Sequence, residues 1–151
     1  MTYPGGSIAS DAMPWIEADG GIYEGLDWPL PDRLSAHPRS SGTFTRFLRE
    51  YVREREALTL MEALAKCTIL PGRVIEGCAP QIRRKVRLQE GCDADIVVFD
   101  LEALTDRADF TAMNRPSEGV RHLLVSGTPV ISGGALDTEA APGRPIRREA
   151  R

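Results

Sequence analysis

Side chains able to do chemistry are sparse in this sequence, and their spacing narrows what they can do. There are two histidines, His37 and His122, and neither stands near a serine or cysteine in a nucleophile pattern; GxSxG is absent. Cys67, Cys78 and Cys92 are an odd set separated by 11 and 14 residues, with no CxxC. Such spacing argues against a disulfide framework. It also argues against a self-contained zinc site, because no HxH, HExxH or Cys/His cluster supplies three or four ligands. The cysteines read as small packing residues. GxGxxG and GxxxxGK[ST] are both missing, which removes dinucleotide-binding and P-loop chemistry. Carboxylates remain. Asp11, Glu17, Asp19, Glu24, Asp27 and Asp32 crowd the first 42 residues, where they read as a solvated surface, with paired acid/base work as the alternative. Asp11 stands apart. It follows the apolar run Ser7-Ile8-Ala9-Ser10 and precedes a long Gly/Pro-rich loop and then an amphipathic helix. A strand–loop–helix with an acid at the carboxyl end of the strand is how barrel enzymes place catalytic groups. A turn or helix cap at that position is the structural alternative.

The elements that must position these groups are legible in outline. Residues 1–42 are irregular apart from a short strand at Ser7–Ser10. A loop of roughly 30 residues is long for a compact domain and points to a lid or to membership of something larger. Phe44, Phe47, Leu48, Tyr51 and Val52 then recur at a period of 3.6, one apolar stripe of a helix. Exposed in a lone chain, that stripe predicts self-association. Thr59 stands three residues before Glu62, a capping box, and Leu58 can staple onto Ala63. Leu60, Met61, Leu64 and Cys67 would be the buried side of this second helix. Pro71-Gly72 sets off Thr68–Gly77 as a short separate helix or turn. From Lys85 the pattern turns to strands. Val86 and Leu88 alternate with charged residues, and Ile96-Val97-Val98-Phe99 reads as a strand buried on both faces. His122–Val125 and Pro129–Ile131 flank Ser126-Gly127-Thr128 as a hairpin with glycine where φ is positive. His122 is a packing or surface residue in this reading. The arginine-rich tail from Pro142 to Arg151 reads as a surface strap or frayed end. Three or four short strands make a poor free-standing sheet, so something outside the chain is expected to complete it.

Composition agrees with one ordinary globular domain: 151 residues, 42% hydrophobic and 27% charged. A net charge of −3 argues against a nucleic-acid partner held by phosphate neutralisation. No apolar run approaches the roughly 20 residues of a membrane helix, and Met1–Ser10 has neither the basic start nor the apolar core of a signal peptide. A cytoplasmic setting is expected.

Several motifs together carry a family resemblance. They are Ile8-Ala9-Ser10-Asp11-Ala12-Met13-Pro14-Trp15, His37-Pro38-Arg39-Ser40-Ser41-Gly42-Thr43-Phe44 and Lys66-Cys67-Thr68-Ile69-Leu70-Pro71. Further along come Gly91-Cys92-Asp93-Ala94-Asp95-Ile96-Val97-Val98-Phe99-Asp100, then Gly119-Val120 and Val125-Ser126-Gly127-Thr128-Pro129-Val130. In this order they resemble the end of an amidohydrolase of the N-acyl-D-amino-acid deacylase (D-aminoacylase) family. The last motif usually has Asn where Ser126 stands.

That resemblance implies a metal-dependent (β/α)₈ barrel beside a small β-domain built from both chain ends. A barrel takes about 250 residues, so this α+β chain would be only the C-terminal portion. Residues 1–80 would be the last barrel strand, its active-site loop and helices, and 81–151 the C-terminal part of the composite, β-sandwich-like domain. Asp11 would match the catalytic aspartate, taking a proton from the attacking water and returning it to the leaving amine. His37 and Arg39 would border the pocket, Arg39 contacting a substrate carboxylate. Gly91, Asp95 and Asp100 would be turn and strand-end residues. The resemblance implies zinc, with ligands upstream of this chain, a small N-acyl amino acid as substrate, and an isolated chain that is inactive. The alternative is a non-catalytic split subunit that associates with a separate metal-bearing half.

Overall fold

A computed structural model describes residues 1–148, and the last three residues of the arginine-rich tail lie outside it. The order is loop, helices, then a four-stranded antiparallel sheet, an α+β arrangement. Among the described residues no helix is long and apolar enough to cross a membrane.

α1 spans Arg39–Leu48 and buries Phe47 and Leu48. The chain then widens into a π-helix over Arg49–Glu54, a break that the 3.6 period of the apolar stripe does not announce. Its side chains match the wider turn, because Arg49 pairs with Glu54 at 2.7 Å and Arg55 with Glu50 at 3.3 Å, each five residues apart. The stripe is not the exposed surface expected of it. Phe47, Leu48, Tyr51 and Val52 pack with Ile8, Ala63 and Leu104 in the chain's own core, and only Phe44 is substantially exposed.

α2 spans Leu60–Cys67 and begins with the expected box: the Glu62 amide donates to Thr59 Oγ1 at 3.3 Å, and the Thr59 amide donates to the Glu62 carboxylate at 2.9 Å. Replacing Thr59 with Ala should cost about 1 kcal/mol, read as a lower midpoint in urea at unchanged slope. Leu60, Leu64 and Cys67 pack against the core as expected, but Met61 is exposed and Lys66 is buried instead. Lys66 tolerates that position because its ammonium donates to the carbonyls of Tyr3 and Gly6. α3 (Ile69–Ile75) is the short separate helix expected, with Pro71 in its first turn, where an amide proton has no helical partner. A 3₁₀ turn over Pro80–Arg84 follows.

Three strand expectations fail. Ser7–Ser10 is extended but forms no ladder; its anchors are the Ile8 amide on the Lys66 carbonyl (3.0 Å) and the buried Ile8 side chain. Lys85–Leu88 is not a strand either. Val86 sits at φ +54, and its Cγ2 fills the space that the missing Cβ of Gly72 leaves open. β1 (Ile96–Phe99) is not buried on both faces, since it lies at the sheet edge with Val97 and Val98 nearly half exposed.

The sheet continues as a meander through β2 (Val120–Val125), β3 (Thr128–Ser132) and β4 (Ala135–Leu136). The β2–β3 turn is the predicted hairpin, with both Ser126 (φ +51) and Gly127 (φ +81) left-handed. Asparagine tolerates that conformation better than serine, so Ser126→Asn should stabilise the chain by about 0.5 kcal/mol, seen as a raised thermal midpoint.

Asp95 ties this turn down, accepting from the Ser126 amide at 2.8 Å and from Lys85 Nζ at 2.7 Å. Burial would raise its carboxyl pKa, but the Lys85 and Ser126 hydrogen bonds outweigh that and hold it below the ordinary value. A carboxyl group held low in the folded state contributes stability that is complete above the unfolded value, near 3.9, and is lost as pH falls through the folded value. The stability advantage of wild type over Asp95→Asn should therefore be full at neutral pH and fade below about pH 4; denaturant titrations at several pH values measure it.

Helices and sheet are joined through the segment between β1 and β2. Arg53 Nη1 donates to the carbonyls of Leu101, Glu102 and Leu104 at 2.7, 2.7 and 2.9 Å. The buried Asp106 carboxylate receives Arg49 Nε at 2.9 Å and lies 3.1 Å from Arg46 Nε. Leu104, packed with Phe99 and Val120, is the largest fully buried side chain among the described residues.

Candidate functional site

The segment carrying Asp11 is fixed on both sides. Before it, Ile8 is locked to α2 by its amide and by its buried side chain. After it, Ser40 in the first turn of α1 grips Met13: the Met13 amide donates to Ser40 Oγ at 3.0 Å, and that hydroxyl donates to the Met13 carbonyl at 3.2 Å. Between these anchors Asp11 turns into the left-handed region at φ +48, a conformation that aspartate adopts more readily than most residues. Its carboxylate stands in solvent, 86% exposed.

Arg39 reaches back across this turn. Its Nε donates to the Asp11 carbonyl at 2.7 Å, and its Nη2 lies 3.0 Å from Asp11 Oδ2. His37 shapes the approach to α1, its Nδ1 accepting the Arg39 amide at 3.1 Å. The imidazole packs edge-on against Phe110, with ring centroids 5.1 Å apart. The structure thus brings Asp11, His37 and Arg39 together although 25 residues separate the first two in sequence. An exposed ion pair of this kind contributes only about 0–1 kcal/mol, so its effect is directional: it aims a carboxylate. An exposed carboxylate on a fixed turn can accept a proton and return it.

Ser40 and Phe110 complete the arrangement and were not singled out by the sequence. Ser40 carries a weak signal as the neighbour of Arg39 in the same motif; Phe110 carries none, because it reaches His37 from a distant loop. Ser40 also lines a cavity of about 830 Å³, bounded by Trp15, Trp28, Asn114, Arg121 and Leu136 among others. Asp11, His37 and Arg39 lie outside its lining.

The described residues do not fit a zinc ion. Among the described residues no group of three or more His, Cys, Asp or Glu side chains could hold a metal. Asp11 faces a guanidinium, and His37 Nδ1 is occupied by the Arg39 amide. Burial pushes the Cys67 thiol up to about 11, away from the thiolate that a metal needs. Cys67 is the packing residue expected, whereas Cys78 is exposed, with its thiol on the Ile75 carbonyl. His122 is a surface residue whose Nδ1 accepts the Gly133 amide.

Comparison with known proteins gives this geometry a context. The chain is 45% identical over 121 residues to an N-acyl-D-glutamate deacylase of Alcaligenes xylosoxydans xylosoxydans, covering 80% of this chain and 23% of that protein. It is 30% identical to a D-aminoacylase of the same organism, covering 96% of this chain and 32% of that protein. Among solved structures, a D-aminoacylase described as having a binuclear metal centre superposes with a TM-score of 0.61 at 30% identity, covering 67% of this chain and 20% of that one. The N-acyl-D-glutamate deacylase of Bordetella bronchiseptica, solved with zinc and a phosphonate that mimics the tetrahedral intermediate, gives a TM-score of 0.57 at 41% identity over 63% of this chain and 19% of that one. The chain therefore spans only about a fifth to a third of the length of the relatives it matches. The model of the family described as "Amidohydrolase family" matches residues 9–131, a stretch that runs from beside Asp11 through His37 and Arg39 into β3. This chain belongs to the amidohydrolase family.

Proposed function

We propose that the chain supplies the C-terminal part of a zinc-dependent amidohydrolase that cleaves the amide bond of N-acyl-D-amino acids. The observation that carries this reading is the exposed Asp11 carboxylate, held on a fixed left-handed turn beside Arg39 and His37. Its support from relatives is the N-acyl-D-glutamate deacylase likeness over most of the chain. Asp11 takes a proton from the water that attacks the amide carbonyl and hands it to the leaving nitrogen. Arg39 contacts the substrate's carboxylate, and His37 borders the pocket. Zinc belongs to this reading with ligands contributed from outside the chain. Residues 1–80 are assigned to the end of the barrel and 81–151 to the β-domain, in a cytoplasmic protein. By itself the chain is inactive.

A second reading is a non-catalytic subunit that docks onto a separate metal-bearing half. What favours it is the apolar surface left open: Val97 and Val98 on the edge strand, Met61 on α2 and Val74 on α3. One experiment addresses both readings. Release of free D-glutamate from an N-acyl-D-glutamate is measured for the chain alone, for the chain joined to an upstream barrel segment, and for the two mixed as separate polypeptides. Activity only when joined supports the first reading, and activity on mixing supports the second. A joined protein that holds zinc yet releases nothing overturns the deacylase assignment.

A further inference from the structure

We infer that Arg39 is a positioning residue for Asp11 as well as a substrate contact, one planar group that couples carboxylate anchoring to the aim of the proton-transferring side chain. This deepens the deacylase reading and rests on it.

The contacts that hold Asp11 from outside its own segment come from Arg39. Nε fixes the backbone through the Asp11 carbonyl (2.7 Å), and Nη2 fixes the side chain through Oδ2 (3.0 Å). A carboxylate that is 86% exposed would otherwise sample every rotamer in solvent. A left-handed aspartate would otherwise relax towards the more populated right-handed or extended regions. Arginine itself is held: its amide is on His37 Nδ1, and its residue opens α1, whose next side chain, Ser40, pins Met13. The turn that carries Asp11 is therefore clamped by two successive residues of one helix start, Arg39 on Asp11 and Ser40 on Met13.

Guanidinium geometry permits the second task. Five N–H donors lie in one plane, and the edge facing Asp11 uses Nε and Nη2. Among the described residues Nη1 donates to no protein acceptor, and the side chain is about one third exposed. The Nη1–Nη2 edge is thus presented for a forked contact with a substrate carboxylate. A carboxylate bound there would lie a fixed distance from Asp11, set by one rigid group rather than by two independent side chains. Lysine has the charge and three donors, but they turn freely on one nitrogen and present no rigid plane that fixes Asp11 and a substrate relative to each other.

Two readouts test this. In the 151-residue chain, NMR compares wild type with Arg39→Lys and Arg39→Gln, using the intraresidue amide–Hα distance and couplings that report a positive φ at Asp11. Both variants should lose the left-handed signature at Asp11 while the Ile8 and Phe47 signals of the core stay in place; Asp11 unchanged in both overturns the inference. In the joined enzyme, a residue that only anchors substrate would raise KM and leave kcat alone. Arg39→Lys should recover much of the KM lost in Arg39→Gln and yet keep a kcat lowered by about 10²-fold at saturating N-acyl-D-glutamate; kcat equal to wild type overturns it. An inactive joined wild type would remove the deacylase reading, and the NMR result would still decide whether Arg39 positions Asp11.

Discussion

Asp11→Asn is expected to lower kcat of the joined enzyme by about 10²- to 10⁴-fold, the usual worth of a positioned general acid/base, while its zinc content is unchanged. Asparagine keeps the shape of the side chain and tolerates the left-handed backbone, so the φ of +48 at this turn survives the substitution. What disappears, in the proposed role, is the ability to take a proton from water and deliver it to the amine. The ion pair with Arg39 disappears too, but the Arg39 bond to the Asp11 carbonyl remains available. An exposed pair contributes little to stability, so the thermal midpoint should move by no more than a degree or two. Steady-state kinetics with an N-acyl-D-glutamate, together with metal analysis of the purified variant, measure the effect. Near-normal turnover would remove Asp11 from the proposed role.

The largest loss of stability is expected at Gly119, the residue just before β2. Its φ is +94, and a Cβ there would stand 2.5 Å from Leu104 Cα and 2.6 Å from Leu104 N. Those are backbone atoms of a residue buried in the core, so they cannot swing aside as a surface side chain does. Left-handed strain and overpacking together put Gly119→Ala at about 3–5 kcal/mol. That is a large share of the roughly 5–15 kcal/mol available to a domain of this size, and the thermal midpoint should fall by about 10 °C or more. Gly127→Ala is the matched control. Its φ is also positive, +81, but no atom lies within 4 Å of the added methyl, so only the backbone strain is felt, about 1–2 kcal/mol. Thermal denaturation followed by circular dichroism compares the two. Equal losses would mean that the Leu104 contact relaxes at no cost.

Local signals in the sequence carried well where the chain's own chemistry decides the structure. The Thr59/Glu62 box, the short helix around Pro71 and the Ser126-Gly127 hairpin all depend on near neighbours, and all formed as read. Failures came where a distant partner decides. Ile8 is apolar in an extended stretch, but a strand needs a neighbouring strand and Ile8 found a helix. Val86 alternates with charges as a strand residue would, yet the gap above Gly72 drew it into a turn. Met61 and Lys66 exchanged expected burial because Lys66 met two carbonyls of the N-terminal loop. The π-turn escaped notice because its i, i+5 ion pairs look like ordinary surface charges when written in a line. The candidate site divides the same way: Asp11, His37 and Arg39 were named from motifs, whereas the Arg39 grip on the Asp11 carbonyl is a backbone contact that no motif encodes.

The core draws its members from far apart: Ile8 near the start, Phe47 and Ala63 in the helices, Leu104 past the first strand. A ribosome emits residues in order, at about 5–20 per second, so the stretch bearing Asp11 emerges seconds before the leucine that closes the core against Ile8. Until then the helices have only one another and Ile8 to pack on, and Arg53 lacks the three carbonyls that tie it to the sheet. Contacts of such long sequence separation slow folding. The groups that hold the Asp11 turn, Ile8 on Lys66, Arg39 and Ser40, all precede Leu104 in the chain, so the turn is set by local partners and the core beneath it is closed by a distant one.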